Sequence, residues 1–342
     1  MTQARARFVW LVLGSGLVLA TCLGTWLGSV PLRPMGVLAS LFSGAGLDGL
    51  APHALDETGE IILFTVRLPR VLLAALVGGG LAVVGAALQA LFRNPMADAG
   101  LLGVGAGAAF GAVLAVNLGW AAERYLALPL SAFAGALVAV LALHVIAHAS
   151  GRPSLQGLLL TGLAIGALAS AGTSVFLVAT EEFRVKTVLF WLAGGLEGRS
   201  WDHLRLAALF VGSGCLGLLL MSRPLDLLSL GEDEASALGL PVHAARLGIL
   251  VLASLVAGAA TSVAGSVPFV GLIAPHALRP FVGPRSHRLI PAAFIGGALL
   301  VVTADLLART ASVRFELPLG SLTAFVGAPY FLLALRANEG RL

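Results

Sequence analysis

Chemically active side chains are scarce in this chain, and the densest group is the run of three acids at Glu232, Asp233 and Glu234. Consecutive carboxylates suit the first turn of a helix, because the helix dipole favours negative charge there. Ser229 is positioned to cap such a helix, and Gly239 suits the position just after its end. The stretch "SLGEDEASALGLP" therefore predicts a short helix with an acidic first turn.

Pro241 is expected to end this region and to open a second short helix. Leu238, Leu240 and Val242 are unusually apolar for a loop in water, and a loop of about 23 residues is long for a compact protein. These features indicate contact with a partner. The candidate contact residues are Ser229, Leu230, Gly231, Glu232, Asp233, Glu234, Leu238, Gly239, Leu240 and Pro241.

Motifs of several enzyme classes are absent from the sequence. It contains no HExxH, no GxSxG and no GxxxxGK[ST], and its only lysine is Lys186. The chain therefore cannot hydrolyse ATP through a P-loop of its own. Cys22 and Cys215 both lie in apolar runs, so we expect neither a disulfide framework nor a metal site.

The elements around these residues are strongly apolar. The chain of 342 residues is 58% hydrophobic and 11% charged, and its mean hydropathy is +0.97, whereas soluble domains carry about 25% charged residues. We expect an all-α, polytopic membrane protein in which residues 1–342 form one transmembrane domain. The net charge of +4 is scattered without a dense basic tract, which argues against nucleic-acid binding.

Ten apolar segments approach the length of about 17–25 residues that crosses a bilayer. They are Phe8–Val30, Arg70–Leu91, Ala97–Leu118, Tyr125–Ala147, Leu155–Val178, Leu204–Met221, Ala245–Ala264, Pro268–Val282, Leu289–Leu307 and Leu319–Leu335. An even number of spans places both termini on one side. The basic residues divide almost evenly between the two sides, so the positive-inside rule does not assign the orientation.

The fifth predicted span carries a stripe of small and hydroxyl residues at Gly162, Gly166, Ser170 and Thr173. Spacing of three to four residues places them on one helix face. Such a face suits either close helix packing or the lining of a transport pathway, and the sequence leaves both open. Residues 85–103 and 258–276 also share a faint pattern, which suggests an inverted repeat of the kind found in transporters.

Six motifs follow one another along the chain and carry a family resemblance. They are "RLPR" at 67–70, "LQALFRNPMADAGLLG" at 88–103, "SLGEDEASALGLP" at 229–241, "PFVGLIAPH" at 268–276, "ADLLAR" at 304–309 and "ELPLGSLTAFVGAPYF" at 316–331. Together they closely resemble the permease subunits of ABC importers for iron-siderophores, haem and cobalamin. Met96, Ala99 and Pro268 depart mildly from the family's usual leucine, proline and glycine.

The resemblance implies ten spans, a homodimer with a second permease copy, two cytoplasmic ATPase subunits that bind ATP and Mg, and a periplasmic substrate-binding protein. It also implies a multi-pass protein of the bacterial inner membrane with both termini in the cytoplasm. No cofactor is expected in this chain. The loop at about residues 223–245 would seat in the ATPase, and a pathway would run between two copies of the fifth span.

The resemblance also assigns a role to three arginines. Arg67, Arg70 and Arg309 would pair with glutamates on the binding protein, since charge-assisted pairs fix orientation and register. Arg309 also has an internal candidate partner, because Asp305 lies four residues earlier, the spacing of a helical ion pair. The two interpretations are compatible.

The sequence leaves more than one substrate and more than one transport mechanism open. Overall likeness favours haem, while a ferric siderophore or cobalamin fits the same family. An alternative of another class is an ion-coupled secondary transporter, which usually places ionisable residues in mid-membrane. Asp98 and Asp305 fall nearer to span ends, so the spans offer no evident proton relay. Transport that is driven by alternating access and by separate ATPase subunits is therefore the favoured interpretation.

Overall fold

The computed structural model describes residues 3–28, 30–44, 55–149, 155–312 and 316–339. These residues form helices and connecting turns and contain no β-strand. The α-helices are α1 (Gln3–Trp26), α2 (Pro34–Gly44), α3 (Glu57–Ile61), α4 (Leu68–Leu91), α5 (Val104–Asn117), α6 (Trp120–Glu123), α7 (Ala127–Ala149), α8 (Leu155–Ala179), α9 (Glu182–Ala193), α10 (Trp201–Leu220), α11 (Ser222–Leu230), α12 (Glu232–Ala237), α13 (Val242–Ala264), α14 (Val270–Val282), α15 (Ser286–Thr310) and α16 (Leu319–Glu339).

Each of the ten predicted spans contains a helix, which confirms the all-α membrane fold. The helices are α1, α4, α5, α7, α8, α10, α13, α14, α15 and α16. Among the described residues, seven helical stretches are long and apolar enough to cross a membrane, and α5, α14 and the apolar part of α16 are shorter. The third predicted span begins late because Asp98 first caps a 3-10 turn at Ala99–Leu102, which ends at Gly103 with a φ of 73°.

Helix α4 forms the centre of the bundle and packs against α10, α13, α14 and α15. Small residues make this close approach possible. A Cβ on Gly78 would lie 2.2 Å from the carbonyl oxygen of Gly297, and one on Gly85 would lie 1.9 Å from that of Gly271. In the most apolar 18 residues of the stretch that contains α4, 78% of the residues are buried, whereas the corresponding share in α8 is only 11%. Helix α8 is therefore peripheral.

Some short elements are not evident from hydropathy. A π-helix at Ile62–Arg67 joins α3 to α4, so that one continuous helical stretch runs from Glu57 to Leu91. Helix α9 mixes charged and apolar residues over Glu182–Ala193 and falls between two predicted spans. These elements gather at the end of the bundle where α4 begins and α15 ends.

Candidate functional site

The segment Ser222–Pro241, here called the acidic loop, contains the two short helices α11 and α12. In α11, Leu225 and Leu228 are buried and anchor the helix to the bundle. The predicted cap at Ser229 is wrong, because its hydroxyl donates to the Asp226 carbonyl oxygen at 2.6 Å inside α11. Helix α12 is preceded instead by Gly231, at a φ of 146°.

The end of α12 confirms the predicted stop at Gly239. The Gly239 N–H donates to the Ser236 carbonyl oxygen at 2.9 Å, and the Leu240 N–H donates to that of Ala235 at 3.0 Å. With Gly239 at a φ of 82°, these bonds form a Schellman motif. The second short helix predicted at Pro241 is wrong: this residue precedes the long helix α13, and the additional short helix, α11, comes before the acids.

The three acids have different surroundings. Glu232 forms an ion pair with Arg246 of α13, whose side chain is only 8% exposed. Asp233 and Glu234 are exposed, while Ala235 is fully buried between them and the bundle. The three acids therefore divide into one inner acid, Glu232, which fastens α12 to α13, and two exposed outer acids, Asp233 and Glu234.

The acidic loop is also fastened to α15. The Asp226 carboxylate accepts a hydrogen bond at 2.7 Å from the backbone N–H of Ser286, the first residue of that helix. A carboxylate at this position satisfies a free N–H and complements the helix dipole. On the outer side of the loop, Leu230 and Leu238 are 61% and 62% exposed. A firmly held loop thus displays two leucines beside two carboxylates.

A second charged site lies at the opposite end of α15. This arginine cluster consists of Arg67, Arg70, Asp305, Arg309 and Glu316. Helix α15 runs from the acidic loop to the cluster over 25 residues, which is about 37 Å at 1.5 Å per residue. The two charged sites are therefore separated by the thickness of the bundle.

Arg70 is the centre of the cluster. Its Nη1 and Nη2 donate to the two carboxylate oxygens of Glu316 at 3.1 and 2.8 Å, and its Nε donates to Asp305 at 2.9 Å. The Asp305 carboxylate also lies 3.3 Å from the Nε of Arg309. This last contact confirms the predicted helical pair. The bidentate fork on Glu316 is the strong geometry for a guanidinium and a carboxylate.

Arg67 and Arg309 hold the end of α1. Arg67 donates to the carbonyl oxygens of Thr25, Trp26 and Val30, the first at 3.1 Å. Arg309 donates to the carbonyl oxygen of Gly24. Cations at the last turn of a helix donate to its free carbonyl groups and interact favourably with the negative end of its dipole. The two arginines thereby fix the C-terminal end of α1 against α4 and α15.

The three arginines are therefore held within the bundle and are not free surface cations. Arg67, Arg70 and Arg309 are 4%, 8% and 6% exposed and already have partners within the chain. Their geometry gives them a structural role first. A direct pairing with a binding protein stays a prediction, and Glu316, with a side chain 30% exposed, is the member of the cluster that reaches the surface.

The residues of the predicted small-residue stripe on α8 differ in how they pack: some contact the bundle and one is exposed. A Cβ on Gly162 would lie 2.2 Å from the carbonyl oxygen of Leu101, and one on Gly166 would lie 3.6 Å from Gly103. Thr173 is buried, and Ser170 is exposed. For Gly162, Gly166 and Thr173 the structure thus favours the helix-packing alternative, and the pathway role of the stripe stays a prediction.

Other polar contacts in the bundle involve residues that sequence reasoning did not select. Gln89 of α4 donates from Nε2 to the Gly271 carbonyl oxygen at 3.2 Å and accepts from Arg279 at 2.9 Å. These bonds tie α4 to α14 across 182 and 190 residues of sequence, so no local pattern reveals them. Asp98 caps its turn and accepts a hydrogen bond from the Gly100 N–H at 2.8 Å.

Comparison with known proteins assigns the family. A model described as the FecCD transport family matches residues 16–337. The chain belongs to the FecCD transport family. It is 42% identical to a cobalamin import system permease protein of Halobacterium salinarum, over 83% of this chain and 76% of the relative. It is 41% identical to a hemin transport system permease protein of Yersinia pestis, over 82% and 85%.

A solved structure supports the same assignment for this FecCD protein. A metal-chelate type ABC transporter in an inward-facing conformation matches 97% of this chain and 99% of its own, with a TM-score of 0.84 and 29% identity. The chain is accordingly a permease subunit of an ABC importer, a transporter component without catalytic activity of its own. A permease of this kind works with ATPase and substrate-binding partners.

Proposed function

We propose that this permease imports a metal-chelate substrate, with a haem-type chelate as first candidate and a ferric siderophore or cobalamin as alternatives within the family. Support comes from relatives named for cobalamin and hemin and from a structural neighbour of the metal-chelate type. Two permease copies would form the pathway. Two ATPase subunits, which bind ATP and Mg, would power alternating access.

One observation carries the assignment of the two ends. The acidic loop is fastened to α13 and α15 and displays Leu230 and Leu238 away from the bundle, whereas the other end of α15 carries the buried arginine cluster. An exposed apolar pair on a rigid mount fits a groove in a partner protein. We therefore propose that the ATPase seats on the acidic loop and that the binding protein docks at the arginine-cluster end.

The same geometry supports a proposed orientation in the bacterial inner membrane. Arg67 and Arg309 hold the C-terminal end of α1, so the N-terminal end of α1 lies on the side of the acidic loop. Helix α16 begins close to Glu316 of the cluster and runs back to that same side. With the ATPase in the cytoplasm, both termini are cytoplasmic and the arginine cluster faces the periplasm.

A second permease copy is proposed to cover α8. Most of the surface of this helix is uncovered in the single chain, and Leu160, Leu168 and Val178 are 68%, 76% and 90% exposed. The exposed Ser170 is the member of the predicted pathway stripe that is free to face a conduit between two copies. A smooth, weakly binding conduit places most substrate selection in the binding protein.

Reconstitution tests the function directly. The permease, its ATPase and its loaded binding protein are placed in proteoliposomes, and uptake of haemin, of a ferric siderophore and of cobalamin is measured. The proposal predicts uptake that requires ATP and both partners and that is unaffected by collapse of the proton gradient. Uptake that needs a proton gradient and persists without the ATPase would establish the secondary-transporter alternative instead.

A further inference from the structure

A cavity of about 660 Å³ opens at the arginine-cluster end of the molecule. Its walls come from α9, from residues 194–199 that follow α9, and from residues 316–319 at the start of α16. Arg70 and Glu316 of the arginine cluster form part of its lining. The volume lies within the range of about 300–1,000 Å³ that is typical of small-molecule sites. We call this cavity the aromatic pocket.

The wall of residues 194–199 is held by backbone hydrogen bonds to three other parts of the bundle. The Gly194 N–H donates to the Trp191 carbonyl oxygen at 3.1 Å, and the Gly194 carbonyl oxygen accepts from the Leu319 N–H at 2.9 Å. The Gly195 N–H donates to the carbonyl oxygen of Ala264 at 2.8 Å. Because α9, α13 and α16 all hold this wall, the pocket is preformed in the single chain.

Aromatic side chains give the pocket its apolar surface. Phe183, Phe190, Trp191 and Tyr125 line it, and the first two are 74% and 46% exposed. Large exposed aromatic residues around a cavity mark a surface for an apolar ligand. Because Arg184 and Lys186 already lie over one face of Phe183 and of Phe190, a ligand with a broad planar or hydrophobic body would lie on the opposite faces.

Cations and N–H donors provide the polar part. Lys186 and Arg199 line the pocket, and within the described part of the chain neither forms an ion pair with an acid. The Nε atom of Arg199 and the indole nitrogen of Trp191 are buried without a hydrogen-bond acceptor among the described residues, and Trp191 is only 7% exposed. Burial lowers the pKa of Arg199 to about 10, so it stays charged at neutral pH.

The acids of the pocket leave this positive charge in place. Glu316 is engaged by the bidentate fork of Arg70. Glu197 is exposed at the lining and forms no ion pair within the described residues. Buried polar groups without partners are rare in proteins, and donors that lack an acceptor next to a cavity are suited to a ligand oxyanion.

We propose that the aromatic pocket receives a metal chelate through its carboxylate groups as the chelate passes from the binding protein into the permease. The carboxylates accept hydrogen bonds from Lys186, Arg199 and the Trp191 indole, and the apolar body of the chelate lies on Phe183 and Phe190. This inference rests on the proposed function, because the ligand is the transported substrate.

The test uses the full-length permease in nanodiscs of phosphatidylcholine, which lack anionic lipid. Haemin, which has two carboxylates, is titrated against its dimethyl ester, which has none, and binding is followed by the absorption of the chelate. The variants are Lys186→Gln with Arg199→Gln, and Trp191→Phe. Arg205→Gln is the matched control, because its side chain is 76% exposed at the same end of the bundle and does not line the pocket.

The expected result is saturable binding of haemin to the wild type and at least about tenfold weaker binding of the ester, since the loss of charge-assisted bonds that are together worth about 1.4 kcal/mol weakens binding tenfold. The double variant is expected to lose about tenfold in affinity for haemin and little for the ester. Trp191→Phe is expected to lose a few-fold, and Arg205→Gln to match the wild type.

Equal affinity of the wild type and the double variant for haemin would overturn the proposal, as would the absence of saturable haemin binding to the wild type. Loss of binding-protein docking in the double variant, with unchanged haemin affinity, would show that the pocket takes a protein carboxylate and would also overturn it. ATP-driven uptake in proteoliposomes distinguishes a failure of the pocket proposal from a failure of the proposed function. Uptake that persists despite either result contradicts the pocket alone, whereas wild-type uptake that is absent for all three chelates contradicts the proposed function.

Discussion

The two charged sites of this permease differ in how they meet their surroundings. The arginines of the cluster are buried, and acids and carbonyl groups of the same chain hold them in place. The acidic loop keeps Asp233 and Glu234 exposed and uses only Glu232 and Asp226 to fasten itself. Both sites are rich in charge, but one joins helices and the other presents a surface.

The difference teaches that the charge of a residue near a span end does not by itself identify a docking residue. An arginine that enters apolar surroundings must find partners, because an unpaired buried charge is very costly. The cluster satisfies this requirement within the chain. A partner-facing site, in contrast, must leave side chains free while its backbone is held, as in the acidic loop.

The largest effect is expected from Arg70→Ala in the arginine cluster. It leaves Asp305, which is 1% exposed, without its shortest partner and removes the fork on Glu316. Breaking a buried ion pair costs about 3–5 kcal/mol. The thermal midpoint of the purified permease in detergent should fall strongly. Arg205→Ala, which removes an exposed pair with Asp202, is the control and should cost about 0–1 kcal/mol. Similar midpoints for the two variants would refute a structural cluster.

An intermediate effect is expected from Gly231→Ala in the acidic loop. A φ of 146° is a region that residues with a Cβ rarely adopt, whereas the Glu234 carboxylate oxygen that lies 1.8 Å from the added Cβ belongs to an exposed side chain that can move away. Such strain costs about 1–3 kcal/mol. Gly239→Ala is the milder comparison, since φ is 82° and no other atom lies within 4 Å of the added Cβ. Hydrogen exchange of residues 222–241 should accelerate more in Gly231→Ala, and the reverse order would contradict this account of the turn.

The smallest effect is expected within the run of three acids, Glu232 to Glu234. Glu232→Gln removes the ion pair with the nearly buried Arg246 and should cost about 1–2 kcal/mol. Asp233→Asn removes an exposed charge near a helix start and should cost about 0.5 kcal/mol. Thermal unfolding of both variants checks the order. If Asp233→Asn proved the more destabilising, the division into an inner acid and outer acids would be wrong.

Much of the fold follows from the sequence. Ten apolar segments predict ten helices because lipid requires every backbone polar group to be satisfied within the span. The Schellman end at Gly239 and the pair of Arg309 with Asp305 are equally local, since both depend on residues within a few positions of each other. Patterns of this length are visible to sequence reasoning.

The burial of the arginines cannot be predicted from such local patterns. Arg70 meets Asp305 and Glu316 across 235 and 246 residues of sequence, so its partners are known only once α4 and α15 are packed. The aromatic pocket depends in the same way on the approach of α9 to the start of α16. The prediction that Ser229 caps α12 was wrong for a different reason: its hydroxyl donates instead to the carbonyl oxygen of Asp226 inside α11.

The contrast between the two ends is tested most directly by the double substitution of Leu230 and Leu238 with serine. Both side chains are more than 60% exposed, so the thermal midpoint should stay close to that of the wild type. In proteoliposomes with the ATPase and the binding protein, ATP-driven uptake should fall by at least about tenfold, because the apolar centre of the contact is lost. Wild-type uptake by this folded variant would contradict the assignment of the acidic loop as the site that receives the ATPase.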